Sequence, residues 1–183
     1  MSKTITQAQI AQIAERNGFE YKALKAVVVV ESSGRGFAAD TGKILIQFEP
    51  HWYRKIDAQD GASGGGIWEQ NKVENQAGEW KAFNDAFSKD PDAALQSTSW
   101  GMMQVMGFHW KTLGFASVDA MVDFMKESEA NQIEVGVRFI RKNARLTDAL
   151  RNKDWATFSY YYNGPKYKDF KYDERMAREY ERA

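Results

Sequence analysis

Apolar side chains recur every three or four residues along most of this chain, which is the spacing of helices with one buried face. Thr6 precedes the first such stretch, which carries Ile10 and Ile13 and ends near residue 17. Ser117 and Asp154 precede two later stretches, and these residue types commonly cap helix N-termini. We predict further helices over residues 79–87, after Asp90 or Asp92, over residues 133–140 and over the charged tail, residues 168–183.

The longest apolar run, residues 26–30 (AVVVV), ends the stretch 23–30 (ALKAVVVV) and is followed by Glu31, two serines and Gly34. The valines favour a strand, but the residues before them are good helix formers. Glycine often supplies the left-handed cap of a helix, so we predict a helix that ends near Ser33. Because an element that is apolar on every side is buried, Glu31 would stand where a buried helix reaches the surface.

The clearest strand pattern is at residues 43–49 (KILIQFE), with Glu49 at its end. Residues 57–66 are polar and rich in glycine, so they predict a loop. Residues 99–107 (SWGMMQVMG) place large apolar side chains between two glycines and predict the start of a buried helix that contains Gln104. Together the elements predict one mostly helical α+β domain, residues 1–183, with a small β element.

Composition and charge exclude some classes of protein. Hydrophobic residues make up 43% of the 183 positions, enough for a sizeable core and too many for a disordered protein. Lys and Arg number 25 and Asp and Glu also number 25. The chain thus lacks the basic excess typical of nucleic-acid binders, and we expect no nucleic-acid partner.

The chain contains no cysteine, which excludes disulfides, thiol catalysis and zinc–thiolate sites. His51 and His109 have no partners at metal-ligand spacing, so we expect no metal and no cofactor. The first residues do not resemble an apolar signal core. No apolar run is long enough to span a membrane, and we expect no transmembrane segment.

Glu31 is the first candidate for catalysis. Apolar neighbours and the negative end of a helix dipole both raise the pKa of a carboxyl group. A raised pKa is what a general acid needs at neutral pH. The alternative is an ordinary glutamate in the last turn of a helix.

Three stretches stand in the order used by the lysozyme-like superfamily: Glu31 with Ser32, residues 101–104 (GMMQ) and residues 161–164 (YYNG). Here the chain is similar to goose-type lysozymes and soluble lytic transglycosylases. In those proteins the Glu-Ser pair carries the catalytic acid, the second stretch lines the cleft and the third helps to hold the sugar chain. The resemblance implies a lysozyme-like fold with a small β-hairpin element beside the catalytic cleft.

More closely, the chain resembles the N-acetylmuramidase family of phage and prophage endolysins. Four motifs of that family follow in order: residues 30–37 (VESSGRGF), 46–51 (IQFEPH), 99–108 (SWGMMQVMGF) and 154–167 (DWATFSYYYNGPKY). The resemblance runs from about residue 23 to the tail and is weakest at residues 57–75.

This resemblance implies cleavage of the β-1,4 bond between N-acetylmuramic acid and N-acetylglucosamine in peptidoglycan glycan strands. Such hydrolysis usually uses one protonated and one ionised carboxyl group. Glu31 is the expected acid and Glu49 the expected second carboxylate, with Asp40 in a predicted turn as the runner-up. The residues expected to bind substrate are Ser32, Ser99, Gln104, Tyr162 and Asn163.

Two other functions remain open. A lytic transglycosylase needs only one acid, because the 6-hydroxyl of the substrate itself attacks and leaves a 1,6-anhydro sugar. A glycan-binding protein would keep the fold without the chemistry. The endolysin interpretation implies a monomer that is made in the bacterial cytoplasm, reaches the cell wall through a holin and lyses the cell.

Overall fold

The computed structural model describes residues 3–32, 34–60, 65–72 and 75–183. In this part of the chain, helices surround a small antiparallel sheet, so the predicted mostly helical α+β class is confirmed. The strands are β1 (Ile46–Phe48), β2 (Thr98–Trp100) and β3 (Val105–Met106). The helices are α1 (Gln7–Arg16), α2 (Tyr21–Ser32), α3 (Pro50–Asp60), α4 (Gln76–Phe87), α5 (Pro91–Gln96), α6 (Val118–Glu127), α7 (Glu129–Lys142), α8 (Ala144–Asn152), α9 (Trp155–Asn163) and α10 (Tyr172–Arg182).

The predicted helix starts are confirmed by their N-caps. The Thr6 hydroxyl accepts a hydrogen bond from the Gln9 backbone, and the Gln9 side chain accepts one from the Thr6 backbone. This reciprocal pair is a capping box. Ser117 caps α6 and Asp154 caps α9 without the reciprocal bond: their side-chain oxygens accept the N–H groups of Ala120 and Thr157. Each helix start therefore depends on residues within a few positions of it.

Helix α2 lies in the centre of the molecule, with α1, α8 and α10 packed against it. Its buried residues are Ala23, Leu24, Ala26, Val27, Val28 and Val30. The valines adopt a helix because burial on nearly all sides outweighs their modest preference for strands. Gly34 has a left-handed φ of +83°, as the predicted cap requires. Ser33 lies outside the described residues.

The three strands pair in the order β1-β2-β3, so that Gln47 lies opposite Ser99 and Ser99 opposite Met106. The outer edge of β1 is closed by side chains. The Gln76 amide accepts a hydrogen bond from the Ile46 N–H (3.0 Å) and donates one to the Ile46 carbonyl (2.8 Å), as a neighbouring strand would. Helix α4 thus holds the strand that leads to Glu49.

The helix start predicted over residues 99–107 is wrong, because this segment forms β2, a turn and β3. Gly101 and Gln104 have left-handed φ values of +67° and +47°, which a right-handed helix excludes. Gln132 of α7 packs against Gly101 and accepts a hydrogen bond from the Met102 N–H (2.8 Å). A contact from a distant helix therefore stabilises the turn.

Three other boundaries differ from the prediction. The strand predicted at residues 43–49 is confirmed only for Ile46–Phe48. Helix α3 extends to Asp60, into the predicted loop 57–66, of which residues 61–64 lie outside the described part. The helix predicted over residues 168–183 is confirmed as α10 from Tyr172, after a 3₁₀ turn at Tyr167–Phe170, and Met176 on its inner face is fully buried.

Candidate active site

Glu31 lies in the last turn of α2, at the mouth of a cleft. Burial raises the pKa of its carboxyl group from 4.5 to about 7, while a hydrogen bond from Asn163 and the charge of Arg175 partly oppose the rise. The raised pKa expected from the sequence is therefore present, and burial is its main cause. At neutral pH a large fraction of the molecules carry the proton that a general acid donates.

Asn163, the last residue of α9, holds the carboxyl group of Glu31. Its Nδ2 donates to both carboxyl oxygens, at 3.0 Å to Oε1 and 3.1 Å to Oε2. Its own Oδ1 is buried and has no hydrogen-bond partner among the described residues. The structure thus brings together two predicted site residues that are far apart in sequence. Contact of Asn163 with a sugar stays a prediction.

Tyr162 lies in the wall behind Glu31. Its hydroxyl donates to the Met103 carbonyl (2.7 Å), and its ring stacks on Phe158 at 5.3 Å and meets the edge of Phe139. Burial, together with the nearby Glu31 carboxylate, raises the pKa of Tyr162 well above its usual value. These contacts occupy the ring, so stacking of Tyr162 on a sugar stays a prediction.

A cleft of about 280 Å³ opens beside Glu31. Of the predicted site residues, Glu31, Ser32 and Gln104 line it, whereas the others do not line this cavity. Most of the lining consists of amides, hydroxyls and carboxyl groups, which suit the hydroxyl and N-acetyl groups of a sugar. The lining residues are Glu31, Ser32, Arg35, Leu45, Ile46, Gln47, Asn75, Gln76, Glu79, Gly101 and Gln104.

Ser99 lies just behind the lining and orients Gln104. Its hydroxyl donates to Gln104 Oε1 (2.7 Å), and Gln104 Nε2 donates to the Gly101 carbonyl (2.8 Å). Ser32 turns its hydroxyl back onto α2, where it donates to the Val28 carbonyl (2.6 Å). Ser99 is therefore a strand residue that positions a cleft amide, and not a helix cap.

Glu49 follows β1 and is joined to the cleft through Gln47. Gln47 lines the cleft, and its Nε2 donates to Glu49 Oε1 (2.7 Å). The other carboxyl oxygen of Glu49 lies 3.6 Å from His51 Nδ1. Asp40, the alternative second carboxylate, is exposed and is not among the residues that line the cleft.

Glu79 of α4 is a cleft residue that sequence reasoning missed. It is only 2% exposed, and its Oε2 accepts hydrogen bonds from the Phe48 N–H (2.7 Å) and from Asn71 Nδ2 (2.9 Å). Burial raises its pKa, and the charge of Glu49 adds to this. Glu79 therefore holds the end of β1 beside Glu49. Within the sequence it appears only as one polar position of an aromatic-rich helix, so no local signal marks it.

Arg175 of α10 was also missed. Its Nη2 donates to the Val30 carbonyl (3.2 Å), one residue before Glu31, and its guanidinium lies 5.4 Å from the centre of the Tyr172 ring. The positive charge lowers the pKa of Glu31 and so opposes part of the effect of burial. The charged C-terminal helix thus contributes to the environment of the acid.

We expect Arg175→Met to raise the pKa of Glu31 further, because the ionised form loses the positive charge that lowers this pKa. The upper limb of the pH profile of kcat/KM, which reports the acid in the free enzyme, should move up by about 0.5 to 1 pH unit. Arg175→Lys keeps the charge and should leave the limb near its original position. Identical profiles for the two variants would show that Arg175 acts on the fold alone.

Among the residues that the structure describes, no group of three or more His, Cys, Asp and Glu side chains could hold a metal ion. His109 is packed against Phe139, and burial lowers its pKa, so it is neutral at pH 7. His51 is exposed beside Glu49. Within the described ranges, no helix is both long and apolar enough to cross a membrane.

Comparison with known proteins identifies the family of the chain. The family model of the N-acetylmuramidases matches residues 20–183. The crystal structure of Burkholderia AP3 phage endolysin is similar to this chain, with a TM-score of 0.90 and 36% sequence identity, over 100% of this chain and 71% of that one. A search of curated proteins found no match. The chain belongs to the N-acetylmuramidase family, whose members are glycoside hydrolases that cleave peptidoglycan.

Proposed function

We propose that the chain is an endolysin-type muramidase that hydrolyses the β-1,4 bond between N-acetylmuramic acid and N-acetylglucosamine, with Glu31 as the general acid. The observation that carries this proposal is a carboxyl group with a pKa of about 7 at the edge of a cleft whose lining residues are mostly amides, hydroxyls and carboxyl groups. Such a group can protonate the leaving glycosidic oxygen at neutral pH. After transfer, Asn163 and Arg175 stabilise the carboxylate.

The second carboxylate in this proposal is Glu49. Its hydrogen bond from Gln47 orients one carboxyl oxygen, and Glu79 and Gln76 hold the strand that leads to it. An ionised group in this position would activate the attacking water or stabilise the oxocarbenium-like transition state. Ser32, Ser99, Gln104, Tyr162 and Asn163 remain the proposed substrate-binding residues, either directly or by orienting their neighbours.

We expect Glu49→Gln to lower the rate of hydrolysis about 100-fold or more, because general base catalysis typically contributes 10²–10⁴-fold. Asp40→Asn, on an exposed turn, should stay within about twofold of the wild type. A large loss in Asp40→Asn with little change in Glu49→Gln would transfer the role to Asp40. Near-normal cleavage in both variants would favour the transglycosylase mechanism, which needs a single acid.

Mass spectrometry of fragments released from purified peptidoglycan tests the reaction itself. Hydrolysis gives fragments that end in reducing N-acetylmuramic acid. A lytic transglycosylase gives fragments one water lighter that end in the 1,6-anhydro sugar. Release of no fragment at all would contradict the enzymatic proposal and leave a glycan-binding protein.

The proposed activity also suggests a biological role for the chain. The similar Burkholderia phage protein is named as an endolysin, and we propose that this chain likewise acts in bacterial lysis. It would be made in the cytoplasm, act as a monomer and reach the cell wall through a holin. We also propose that residues 1–183 form one catalytic domain. The buried hydrophobic cluster of the described residues, which extends from Ile10 to Met176, supports this.

A further inference from the structure

Arg35 gives the cleft a charge that the proposed chemistry does not use. It is the one cation among the described residues that line the cleft, and it shares the lining with Glu31 and Glu79. Cleavage of a neutral sugar strand requires amides, hydroxyls and carboxyl groups but no guanidinium.

The backbone on both sides of Arg35 is held firmly. The Arg35 N–H donates to the Ser32 carbonyl (3.2 Å), and the Gly34 N–H donates to the Ser32 hydroxyl (3.0 Å). The Gly36 N–H donates to the buried carboxylate of Glu129 (2.8 Å), and the Gly36 carbonyl accepts from the Leu45 N–H (2.9 Å). The base of the Arg35 side chain is therefore fixed relative to Glu31.

The guanidinium, in contrast, is exposed and makes no hydrogen bond or ion pair with any described residue. The other cation near the acid, Arg175, is bound to the Val30 carbonyl and lies over Tyr172. Arg175 is also the cation that shifts the pKa of Glu31. Arg35 thus has its five N–H donors available to a ligand.

The chemistry of peptidoglycan supplies a matching ligand. Every second sugar carries a lactyl ether that ends in a carboxyl group, which is either free or joined to a stem peptide with carboxylates of its own. Chitin-type strands carry neither group. A guanidinium binds a carboxylate through two parallel hydrogen bonds, which gives both affinity and orientation.

We propose that Arg35 binds a carboxylate of the peptidoglycan strand, on the lactyl group or on the stem peptide, and makes the cleft select anionic strands over neutral ones. This inference rests on the proposed function and specifies its substrate. Arg35 acts on substrate binding and leaves the proton transfer from Glu31 unchanged.

Three strands of equal length test the proposal: strands with stem peptides, strands stripped by an amidase so that the lactyl carboxylate is free, and stripped strands whose lactyl carboxylates have been converted to methylamides. Arg35→Gln should raise KM about three- to tenfold on strands with the carboxylate that it binds. It should leave KM on the methylamide strands and kcat on all strands unchanged. A rise in KM confined to strands with stem peptides would identify the stem carboxylate as the ligand of Arg35. A rise in KM confined to stripped strands would identify the lactyl carboxylate.

Two further variants serve as controls. Arg35→Lys keeps the charge and should retain most of the preference for anionic strands. Arg178→Gln removes an exposed arginine of α10 that makes no hydrogen bond or ion pair with a described residue, and this variant should bind all strands as the wild type does. An equal rise of KM on charged and neutral strands, or no rise at all in Arg35→Gln, would overturn the proposal.

Calorimetric binding of the same strands separates this inference from the proposed function. The titrations use the Glu31→Gln background, so that no strand is cut while it binds. If the wild type releases no product from any strand, the enzymatic proposal fails. Weaker binding of charged strands by the Arg35→Gln, Glu31→Gln double variant would still support the role of Arg35, and equal binding would reject it.

Discussion

Replacing Glu31 by glutamine is expected to lower peptidoglycan cleavage by about 10²- to 10⁴-fold, which is the usual contribution of a general acid. The substitution keeps the shape of the side chain and replaces its acidic hydroxyl by an amide NH₂ group. The hydrogen bond from Asn163 Nδ2 can persist on the amide oxygen of the new side chain.

The same substitution should make the protein more stable at high pH. Below about pH 4.5 the carboxyl group is protonated in both the folded and the unfolded state, so the difference in pKa does not change the free energy of unfolding. Between pH 4.5 and about 7 the unfolded chain ionises while folded Glu31 keeps its proton, so the stability of the wild type falls as pH rises. The total loss is on the order of 3 kcal/mol.

Chemical denaturation from pH 4 to pH 8, combined with fragment release assays, checks both expectations. The free energy of unfolding of Glu31→Gln should exceed that of the wild type by a margin that grows up to about pH 7 and then stays constant. Glu15→Gln, on the exposed face of α1, is the matched control and should show no such margin. A pH-independent difference would contradict the raised pKa, and full activity would remove Glu31 as the acid.

Glu129→Gln is expected to lower the free energy of unfolding by about 3 kcal/mol. Glu129 is 4% exposed, and its two carboxyl oxygens accept hydrogen bonds from the N–H groups of Gly36 and Ile5, both at 2.8 Å. Glutamine offers one acceptor oxygen and one donor group, so it can satisfy only one of the two N–H groups. The other N–H group would be left buried without an acceptor, facing the NH₂ group of the glutamine.

For a chain of this length, 3 kcal/mol corresponds to a fall in Tm of roughly 6 to 12 °C, which thermal unfolding measures directly. Activity at 25 °C should fall as well, because Gly36 belongs to the loop that follows Glu31 and carries Arg35. Glu15→Gln again serves as the control, since it removes a charge without removing a buried contact. A Tm within 2 °C of the wild type would show that the N–H groups find other acceptors.

The sequence predicts well where a few neighbouring residues decide the outcome. The start of α1 depends on a hydrogen bond between Thr6 and Gln9, and the start of α9 on one between Asp154 and Thr157. The two residues of each pair are three positions apart. Glu31 was identifiable as a candidate general acid because the apolar run before it predicts burial, and burial raises its pKa. The resemblance to the muramidase motifs added the family, which the comparisons confirm.

The prediction was wrong where a contact from a distant residue decides the local backbone conformation. Residues 99–107 were expected to begin a helix, but Gln132 packs against Gly101 and binds the Met102 N–H, which stabilises a turn with two left-handed residues. Local preference alone does not predict such a turn, because Gln104 seldom adopts a left-handed φ without support from the surrounding structure.

By itself, the sequence determined the helical pattern, the helix caps, the family and the position of a carboxyl group, Glu31, at the end of the buried helix. Only the tertiary structure decided how that carboxyl group is held. Asn163 is 132 positions from Glu31, and Arg175 is 145 positions from Val30. Periodicity and capping act over a few residues, whereas the hydrogen bonds and charges around a catalytic carboxyl group depend on which distant elements pack against it.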